Sequence, residues 1–336
     1  MAIITAQQLN HYYDYYRTTE IKFTKDVIKI FGMDPKQIYL KCNGLQWPCI
    51  INSTSFQQVK VIVGTRGGLF QQLVEKMSGA VNVRFFFNRP SGEQLSFFVA
   101  GKISGMESYA NSTDLAVLTI VFNQRPPDAF IEMVGHLIDA NENAIRRFDE
   151  RIILTKDTCR RLGIPGEETV VTIQGVPRRC ILRDLSFGGA KVMVLGLAKF
   201  LVNKEIELNL QFFDPDEIIS VKGVILKAVP ADGRNDIYAA SIRFNEDSIS
   251  MAYKLRINGY LSSLRKNELE NQARQEEMEK QRALEEQKIK EQRAQIIQQN
   301  LQKAQQNAPK LQSSQQPQQP LQPKPTNPAN PAEGKA

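Results

Sequence analysis

The sequence predicts a mainly β protein in which two antiparallel β-barrel domains are joined by a helix and followed by a charged helix and a disordered Pro/Gln-rich tail. Short apolar and β-branched runs, separated by breaks rich in Gly and Asn, occur in two blocks, which is typical of antiparallel barrels. Near residue 266 the composition changes, because Gln, Glu, Lys and Arg replace most apolar residues. We therefore predict segments at 1–127, 128–150, 151–265, 266–308 and 309–336.

Length and composition limit the class of protein. A chain of 336 residues with 42% hydrophobic and 24% charged residues is long enough for about two domains with their own cores. No stretch approaches the roughly 18 uncharged apolar residues of a membrane-spanning helix, so we expect no membrane insertion. The four cysteines are scattered and no export signal is evident, which together favour a cytoplasmic protein.

The first block is predicted to form the N-terminal barrel. A helical pattern covers 24–31, and Gly32 and Pro35 provide its stop. Residues 69–77 predict a further helix. Apolar runs predict strands at 38–42, 49–52, 59–63, 81–87, 95–103 and 115–122.

A linker helix is predicted between the two blocks, over 128–144. Asp128 is a suitable N-cap residue for it. Phe130, Val134, Leu137 and Ile138 fall on one stripe, so this helix should face one or both domains.

The second block is predicted to form another barrel, closed by an amphipathic helix over 247–264. The runs of apolar residues that predict its strands lie at 151–154, 168–173, 179–182, 189–194, 205–212, 218–228 and 237–244.

The C-terminal part of the sequence has a separate character. Residues 267–306 contain neither Gly nor Pro, and pairs such as Glu270–Arg274 and Glu286–Lys290 place an acid four residues before a base. The apolar residues there do not repeat every 3.5 positions, so a polar, charge-paired helix is favoured over a coiled coil. From residue 309 the chain is rich in Pro and Gln, which predicts disorder.

The sequence gives no indication of an enzyme, a metal site or a cofactor. His11 and His136, the only histidines, have no zinc-ligand spacing around them. Ser186 lacks the Gly-x-Ser-x-Gly elbow and has no histidine downstream to activate it. The glycine-rich stretch 64–68 lacks the lysine of a phosphate-binding loop, so a strand-to-helix turn is the preferred interpretation.

Two short motifs do form a specific constellation. They are Arg146-Arg147-Phe148-Asp149-Glu150-Arg151 and Asp184-Leu185-Ser186-Phe187-Gly188-Gly189. In this order and spacing they resemble the RxxxR and (D/N)xSxxG signature of the PilZ domain family, whose members are receptors for cyclic di-GMP. Arg147 and Arg151 match the first motif, and Asp184, Ser186 and Gly189 match the second. The resemblance covers about residues 145–262. Arg179 and Arg183 also form RxxxR, but they lie in the strand leading into Asp184.

The motif residues suit such a ligand chemically. Arginine can grip a phosphate bidentately, pair with a guanine edge or stack on the base. Asp184 can accept hydrogen bonds from guanine N–H groups or cap a turn, and Ser186 supplies a hydroxyl. Gly188 and Gly189 allow positive φ and close backbone approach, although an ordinary hairpin turn would also explain them.

The resemblance implies more about mechanism. In this family the RxxxR segment is flexible without ligand and wraps onto the barrel when cyclic di-GMP binds. The residue at the position of Arg146 influences whether one ligand or a stacked pair binds. An arginine there favours the pair, and surface solvation also explains it. The N-terminal block resembles the extra barrel of two-domain PilZ proteins of the PlzA type. We therefore expect a ligand-driven change in domain packing that is relayed to a protein partner, with motility machinery as one candidate.

Two alternatives come from other functional classes. One is a nucleic-acid-binding protein, suggested by the net charge of +7, the barrels and aromatics expected to be exposed, Tyr12, Tyr13, Tyr15 and Tyr16. The other is a PilZ-like scaffold that has lost its ligand and acts through its charged tail.

Overall fold

The structure is a computed structural model that describes residues 5–42, 44–66, 80–88, 92–214, 216–231 and 233–306. The helix predicted over 69–77 and the tail predicted over 309–336 lie outside the described residues. The chain divides into two units, Met1–Asn267 and Glu268–Ala336.

The described elements follow the predicted order. The helices are α1 (Ala6–Tyr15), α2 (Lys25–Phe31), α3 (Asp128–Arg146), α4 (Lys156–Leu162), α5 (Ala198–Leu201) and α6 (Met251–Gln306), and short 3-10 helices cover Pro35–Gln37 and Glu246–Ser248. The strands of the first block are β1 (Ile21–Lys22), β2 (Tyr39–Cys42), β3 (Leu45–Pro48), β4 (Ile50–Thr54), β5 (Gln58–Gly64), β6 (Ala80–Asn88), β7 (Gln94–Ser108) and β8 (Leu115–Phe122). Those of the second are β9 (Ile152–Ile153), β10 (Glu168–Ile173), β11 (Val176–Leu185), β12 (Gly189–Leu195), β13 (Glu205–Phe212), β14 (Glu217–Ala231) and β15 (Arg234–Phe244).

The first block is an antiparallel sheet of eight strands in the order β1-β4-β5-β8-β7-β6-β2-β3. Only Cys49 separates β3 from β4, and its N–H donates to the carbonyl of Ile38 at 3.3 Å. The last strand of the sheet therefore runs directly into the second, and the chain itself joins the two ends. β1 and β3 are short additions to the strands that the apolar runs predicted.

The core of this block is built around phenylalanine side chains. Phe130 of α3 lies edge-on against Phe85 with ring centroids 4.9 Å apart, and it also contacts Phe56 and Phe97. The four apolar residues predicted to form one stripe of α3 are all buried. The prediction that this helix faces a domain core is therefore confirmed.

The second block is a closed antiparallel barrel of six strands. Around the barrel the order is β10-β13-β14-β15-β12-β11, and β10 also pairs with β11, which completes the ring. β9 adds to the free part of β11, where Ile153 lies opposite Asp184. The predicted mainly β fold with two strand-rich domains and a joining helix is confirmed.

The start of α3 differs from the prediction. Pro127 occupies the N-cap position, and no side chain caps the helix there. Asp128 is instead the first helical residue, and its carboxylate accepts a hydrogen bond from Arg125 at 3.3 Å. An acidic first turn still favours the helix N-terminus electrostatically.

One helix replaces the two helical segments predicted at the C-terminal side. The segment before it forms the short 3-10 helix at Glu246–Ser248, and α6 then runs without a break from Met251 to Gln306. No proline or helix-ending glycine lies near residue 265, so nothing ends the helix there. Tyr253, Ile257, Tyr260 and Leu261 are buried at its start, and the side chains of 265–303 are exposed.

The tyrosine-rich opening forms helix α1, which the sequence analysis did not predict. α1 packs on α3, where Tyr12 lies so close to Gly135 that a Cβ there would overlap its ring. Tyr16 donates to Asp139 at 2.8 Å, and both Tyr12 and Tyr16 are buried. Tyr13 is half-buried and only Tyr15, at 55% exposure, is open to solvent. The expectation that all four tyrosines are exposed and form a nucleic-acid-binding surface is therefore wrong.

No helix in the part of the chain that the structure describes combines the length and apolar character needed to cross a membrane.

Candidate functional site

The two motifs lie on neighbouring parts of the second barrel. Residues 146–151, here called the arginine segment, connect the end of α3 to β9. Arg147 is the C-cap residue of α3, with its N–H donating to the Asn143 carbonyl at 2.9 Å. The N–H of Glu150 donates in turn to the carbonyl of Arg147 at 3.0 Å, which forms a turn before Arg151.

Residues 184–189, here called the Ser186 segment, contain the loop that joins β11 to β12. The N–H of Ser186 donates to the Gly189 carbonyl at 2.8 Å, which closes a hairpin. The hairpin interpretation of the glycine pair is therefore confirmed. The Ser186 side chain is buried, and its hydroxyl donates to the Gly189 carbonyl at 3.3 Å. In this structure its hydroxyl is therefore used within the loop.

The two glycines serve close approach and not positive φ. Neither appears among the residues of the described chain with positive φ, so that part of the prediction is wrong. A Cβ on Gly188 would overlap the ring of Phe148, and one on Gly189 would overlap the carbonyl oxygen of Ile242. The missing side chains thus let the arginine segment and β15 approach the loop.

The structure brings the two segments into direct contact. Nη1 of Arg151 forms a salt bridge with Oδ1 of Asp184. The N–H of Gly188 donates to the Phe148 carbonyl at 2.9 Å. Residues 33 positions apart in the sequence, Arg151 and Asp184, are therefore in direct contact.

Arg147 carries an unsatisfied group at this site. Its side chain is 17% exposed, and Nε lies 3.8 Å from Oε2 of Glu150. Nη1 is buried without a hydrogen-bond partner; among the described side chains this is otherwise true only of Nε of Arg178. Because a buried donor without a partner costs about 1–3 kcal/mol, an anion that reaches Nη1 would be bound favourably.

Glu150 connects Arg147 to α6. The same Oε2 atom lies 3.6 Å from Nη2 of Arg265, so one carboxylate serves two guanidinium groups. This arrangement spreads one negative charge over two cations and leaves a net positive charge at the arginine segment.

Arg146 points away from the Ser186 segment. Its Nη2 donates to the hydroxyl of Tyr15 at 3.0 Å, and its guanidinium lies 5.6 Å from the centre of that ring. Glu142 lies 3.8 Å from Nη2 on the preceding turn. The hydrogen bond to Tyr15 raises the pKa of Arg146 above its ordinary value. Of the predicted site residues, Arg146 is the one that this structure keeps with α1.

The sequence analysis missed a row of side chains on the outer face of the barrel. Asp184 pairs with Lys191, Lys191 with Ser241, and Ser241 with Lys227, across four adjacent strands. Both lysines are exposed, and neither forms an ion pair with any described residue. Strand alternation places these lysines outward, but only the sheet register brings them beside Asp184.

Two grooves flank the Arg151–Asp184 pair. One, of about 560 Å³, includes Asp184, Lys191 and Lys227 in its lining. The other, of about 200 Å³, is bordered by Phe148, Arg151, Gly188 and Arg243, and Ser241 contributes to both. Cationic side chains, a carboxylate and closely approaching backbone therefore surround a surface that can hold a flat anionic ligand.

Groups of three or more His, Cys, Asp or Glu side chains able to hold a metal ion do not occur within the described ranges.

Fold and site together define a protein with two strand-rich domains, in which the second domain carries both the arginine segment and the Ser186 segment. The PilZN3 domain family matches residues 7–141, and the PilZ domain family matches residues 146–262. The chain belongs to the PilZ domain family.

Similar proteins extend over most of the chain. A Treponema denticola protein named "Cyclic di-GMP binding protein" is 42% identical over 268 residues, which is 79% of this chain and 85% of that protein. The Borreliella burgdorferi PlzA protein, solved in complex with c-di-GMP, is 23% identical with a TM-score of 0.35, covering 76% of this chain and 98% of that one. Escherichia coli YcgR, also solved with c-di-GMP, is 14% identical with a TM-score of 0.25, covering 74% and 91%.

Proposed function

We propose that the chain is a receptor for cyclic di-GMP rather than an enzyme, and that the ligand binds between the arginine segment and the Ser186 segment. The observation that carries this proposal is the buried, unpartnered Nη1 of Arg147 beside the Arg151–Asp184 pair. The 42% identical relative named for cyclic di-GMP binding supports it.

The proposed roles follow from chemistry. Arg147 and Arg151 bind the phosphates or guanine edges, and Asp184 accepts hydrogen bonds from guanine N–H groups. Ser186 sets the shape of the loop, and Gly188 and Gly189 allow the ligand to approach the backbone. Arg146 joins the site only when it leaves Tyr15, so its contact with α1 favours a single bound ligand in the arrangement described here.

Binding must rearrange the charges around the site. A phosphate that reaches Arg147 competes with Glu150, and a guanine that reaches Asp184 competes with Arg151. Release of Glu150 from Arg147 changes its contact with Arg265 of α6. We therefore propose that ligand binding alters the packing of the second barrel against α3, α6 and the N-terminal domain, and that a protein partner, with motility machinery as a candidate, detects this change.

Titration calorimetry with cyclic di-GMP, with GTP as a control ligand, tests the binding proposal. Each of Arg147→Ala and Arg151→Ala removes charge-assisted hydrogen bonds worth about 1.5–3 kcal/mol, so affinity should fall roughly 10- to 150-fold. Arg179→Ala is the matched control, because Arg179 belongs to an RxxxR pair inside β11. Absence of heat with the folded wild-type protein would refute the proposal and favour a scaffold that has lost its ligand.

Small-angle scattering at saturating ligand tests the relay. Wild-type protein should change its scattering profile, and Arg147→Ala should not change at the same ligand concentration. Identical wild-type profiles with and without bound ligand would contradict the proposed change in packing.

A further inference from the structure

The outer face of β2, β6 and β7 in the N-terminal domain presents aromatic and basic side chains side by side. The register places Tyr39 opposite Arg84 and Arg84 opposite Phe98 across the three strands. The Arg84 guanidinium lies 5.3 Å from the ring centre of Tyr39 and 5.2 Å from that of Phe86. Gln37 accepts a hydrogen bond from Nη1 of Arg84 at 3.0 Å, which fixes the guanidinium over the sheet.

Phe98 is the most accessible ring of this row. Its side chain is 47% exposed, and its ring meets Tyr39 edge-on with centroids 6.2 Å apart. Burial strictly alternates along β6, so the opposite face of this strand forms the core and leaves the outer face free for contact. No described side chain therefore needs Phe98 for the interior of the domain.

The charge of this face is uniformly positive. Neither Asp nor Glu occurs in β2, in β3, in β6 or in the part of β7 that pairs with β6, residues 94–102. The same strands carry Lys41, Arg84 and Lys102. A surface that combines such cations with an exposed ring complements a polyanion that carries flat groups.

A groove lies beside the aromatic row. It measures about 470 Å³ and is lined by Lys41, Cys42, Gly44, Ala80, Asn82 and Phe98. Asn82 supplies an amide that can donate to and accept from a base edge, and Lys41 supplies a cation for the backbone phosphate. Ring, amide and cation thus border one space that is large enough to hold a nucleobase.

We propose that this face binds single-stranded nucleic acid, with a base stacked on Phe98, Arg84 and Lys41 near the phosphates, and Asn82 at a base edge. Sheets that display aromatic side chains bind unpaired bases by stacking, and backbone phosphates need the cations. The site lies on the N-terminal domain and is separate from the proposed cyclic di-GMP site on the second barrel.

Fluorescence anisotropy with labelled poly(dT) and poly(rU) of about 12 nucleotides tests the proposal on the full chain. Phe98→Ala should weaken binding roughly tenfold. Arg84→Ala should also weaken binding, and the slope of log binding constant against log salt concentration should become shallower by about 0.7. Lys199→Ala and Phe200→Ala are matched controls, because Lys199 lies 4.9 Å from the ring of Phe200 in an exposed pair on the second barrel. These controls should bind like wild type.

Several outcomes would overturn the proposal. One is that the labelled oligonucleotides do not bind at low salt, and another is that Phe98→Ala binds them as tightly as wild type. The third is that heparin binds as tightly as the oligonucleotides, because heparin has no bases and this result would indicate an acidic partner. Thermal unfolding confirms that each variant is folded. Calorimetry with cyclic di-GMP should give the wild-type result for Phe98→Ala, so failure here is distinguishable from failure of the proposed receptor function.

Discussion

The hydroxyl of Tyr253, in the first turn of α6, donates a hydrogen bond to the backbone carbonyl of Ser186 at 2.6 Å. Tyr253 is fully buried, and burial raises the pKa of its hydroxyl, so it remains a donor at physiological pH. This bond joins the Ser186 segment to the start of the long C-terminal helix. The loop of the proposed ligand site is thus shaped partly by a residue that no motif contains.

Tyr253→Phe should therefore affect both stability and ligand binding. The ring still packs edge-on against Phe244, but the buried Ser186 carbonyl loses its donor, which costs about 1–3 kcal/mol. Urea unfolding should show this loss, and calorimetry should show weaker binding of cyclic di-GMP. Tyr16→Phe, which removes the bond to Asp139, is the control and should lose stability only. Equal loss of affinity in both variants would contradict the link between Tyr253 and the loop.

Arg147→Met should separate binding from stability. Methionine retains an apolar stem but removes the buried Nη1 that has no partner, so the free energy of unfolding should stay within about 0.5 kcal/mol or increase. Cyclic di-GMP affinity should fall at least about tenfold. A loss of stability above about 2 kcal/mol would indicate that Arg147 serves the fold instead.

Gly188→Ala should displace the arginine segment, because its Cβ overlaps the ring of Phe148. Overpacking of this kind costs about 1–3 kcal/mol, and the displaced segment should bind cyclic di-GMP less tightly. Phe148→Leu in the same chain should restore part of both losses. Gly166→Ala is the control, since a Cβ there meets nothing within 4 Å. Chemical unfolding of the single and double variants, combined with calorimetry, measures the coupling; additive losses would argue against the clash.

Asp26→Ala should weaken the contact between the N-terminal domain and the second barrel. Oδ2 of Asp26 in α2 accepts a hydrogen bond from the N–H of Met251, the first residue of α6, at 2.7 Å. Loss of a helix cap costs about 0.5–2 kcal/mol, and hydrogen exchange of the first α6 amides should accelerate. Asp34→Ala removes a cap within its own domain and should leave α6 protection unchanged. Unchanged exchange in Asp26→Ala would show that the contact does not hold α6.

His136 should make stability fall at mildly acidic pH. Burial lowers its pKa below the ordinary 6.5, although Glu132 and Asp139 oppose this shift. As pH falls below 6.5 the unfolded chain takes up the proton first, so folding loses stability until the folded pKa is passed. His136→Gln should flatten the change in unfolding free energy between about pH 7 and pH 5. An equally steep change in this variant would assign the effect to other groups.

Local patterns predicted much of the molecule. Runs of apolar and β-branched residues identified the long strands, because a strand with at least one buried face needs such residues. The bounds of β10 and β13 were predicted without error. β1, β3, α1, α4 and α5 were missed, because short or aromatic-rich segments carry little periodic signal. α1 becomes stable through its packing of Tyr12 on Gly135, a contact that local sequence does not reveal.

The sequence by itself determined the two strand-rich domains, their joining helix and both halves of the candidate site, because these depend on residue type and local spacing. The tertiary structure decided that Arg151 meets Asp184, that Arg146 turns to Tyr15, and that Lys191 and Lys227 line up with Asp184 across the sheet. It also buried Tyr12 and Tyr16 and placed the half-buried Tyr39 and Arg84 beside the exposed Phe98 on one sheet face. These features arise from pairing between strands and helices distant in the chain, so they are fixed only when the whole sheet register and packing form.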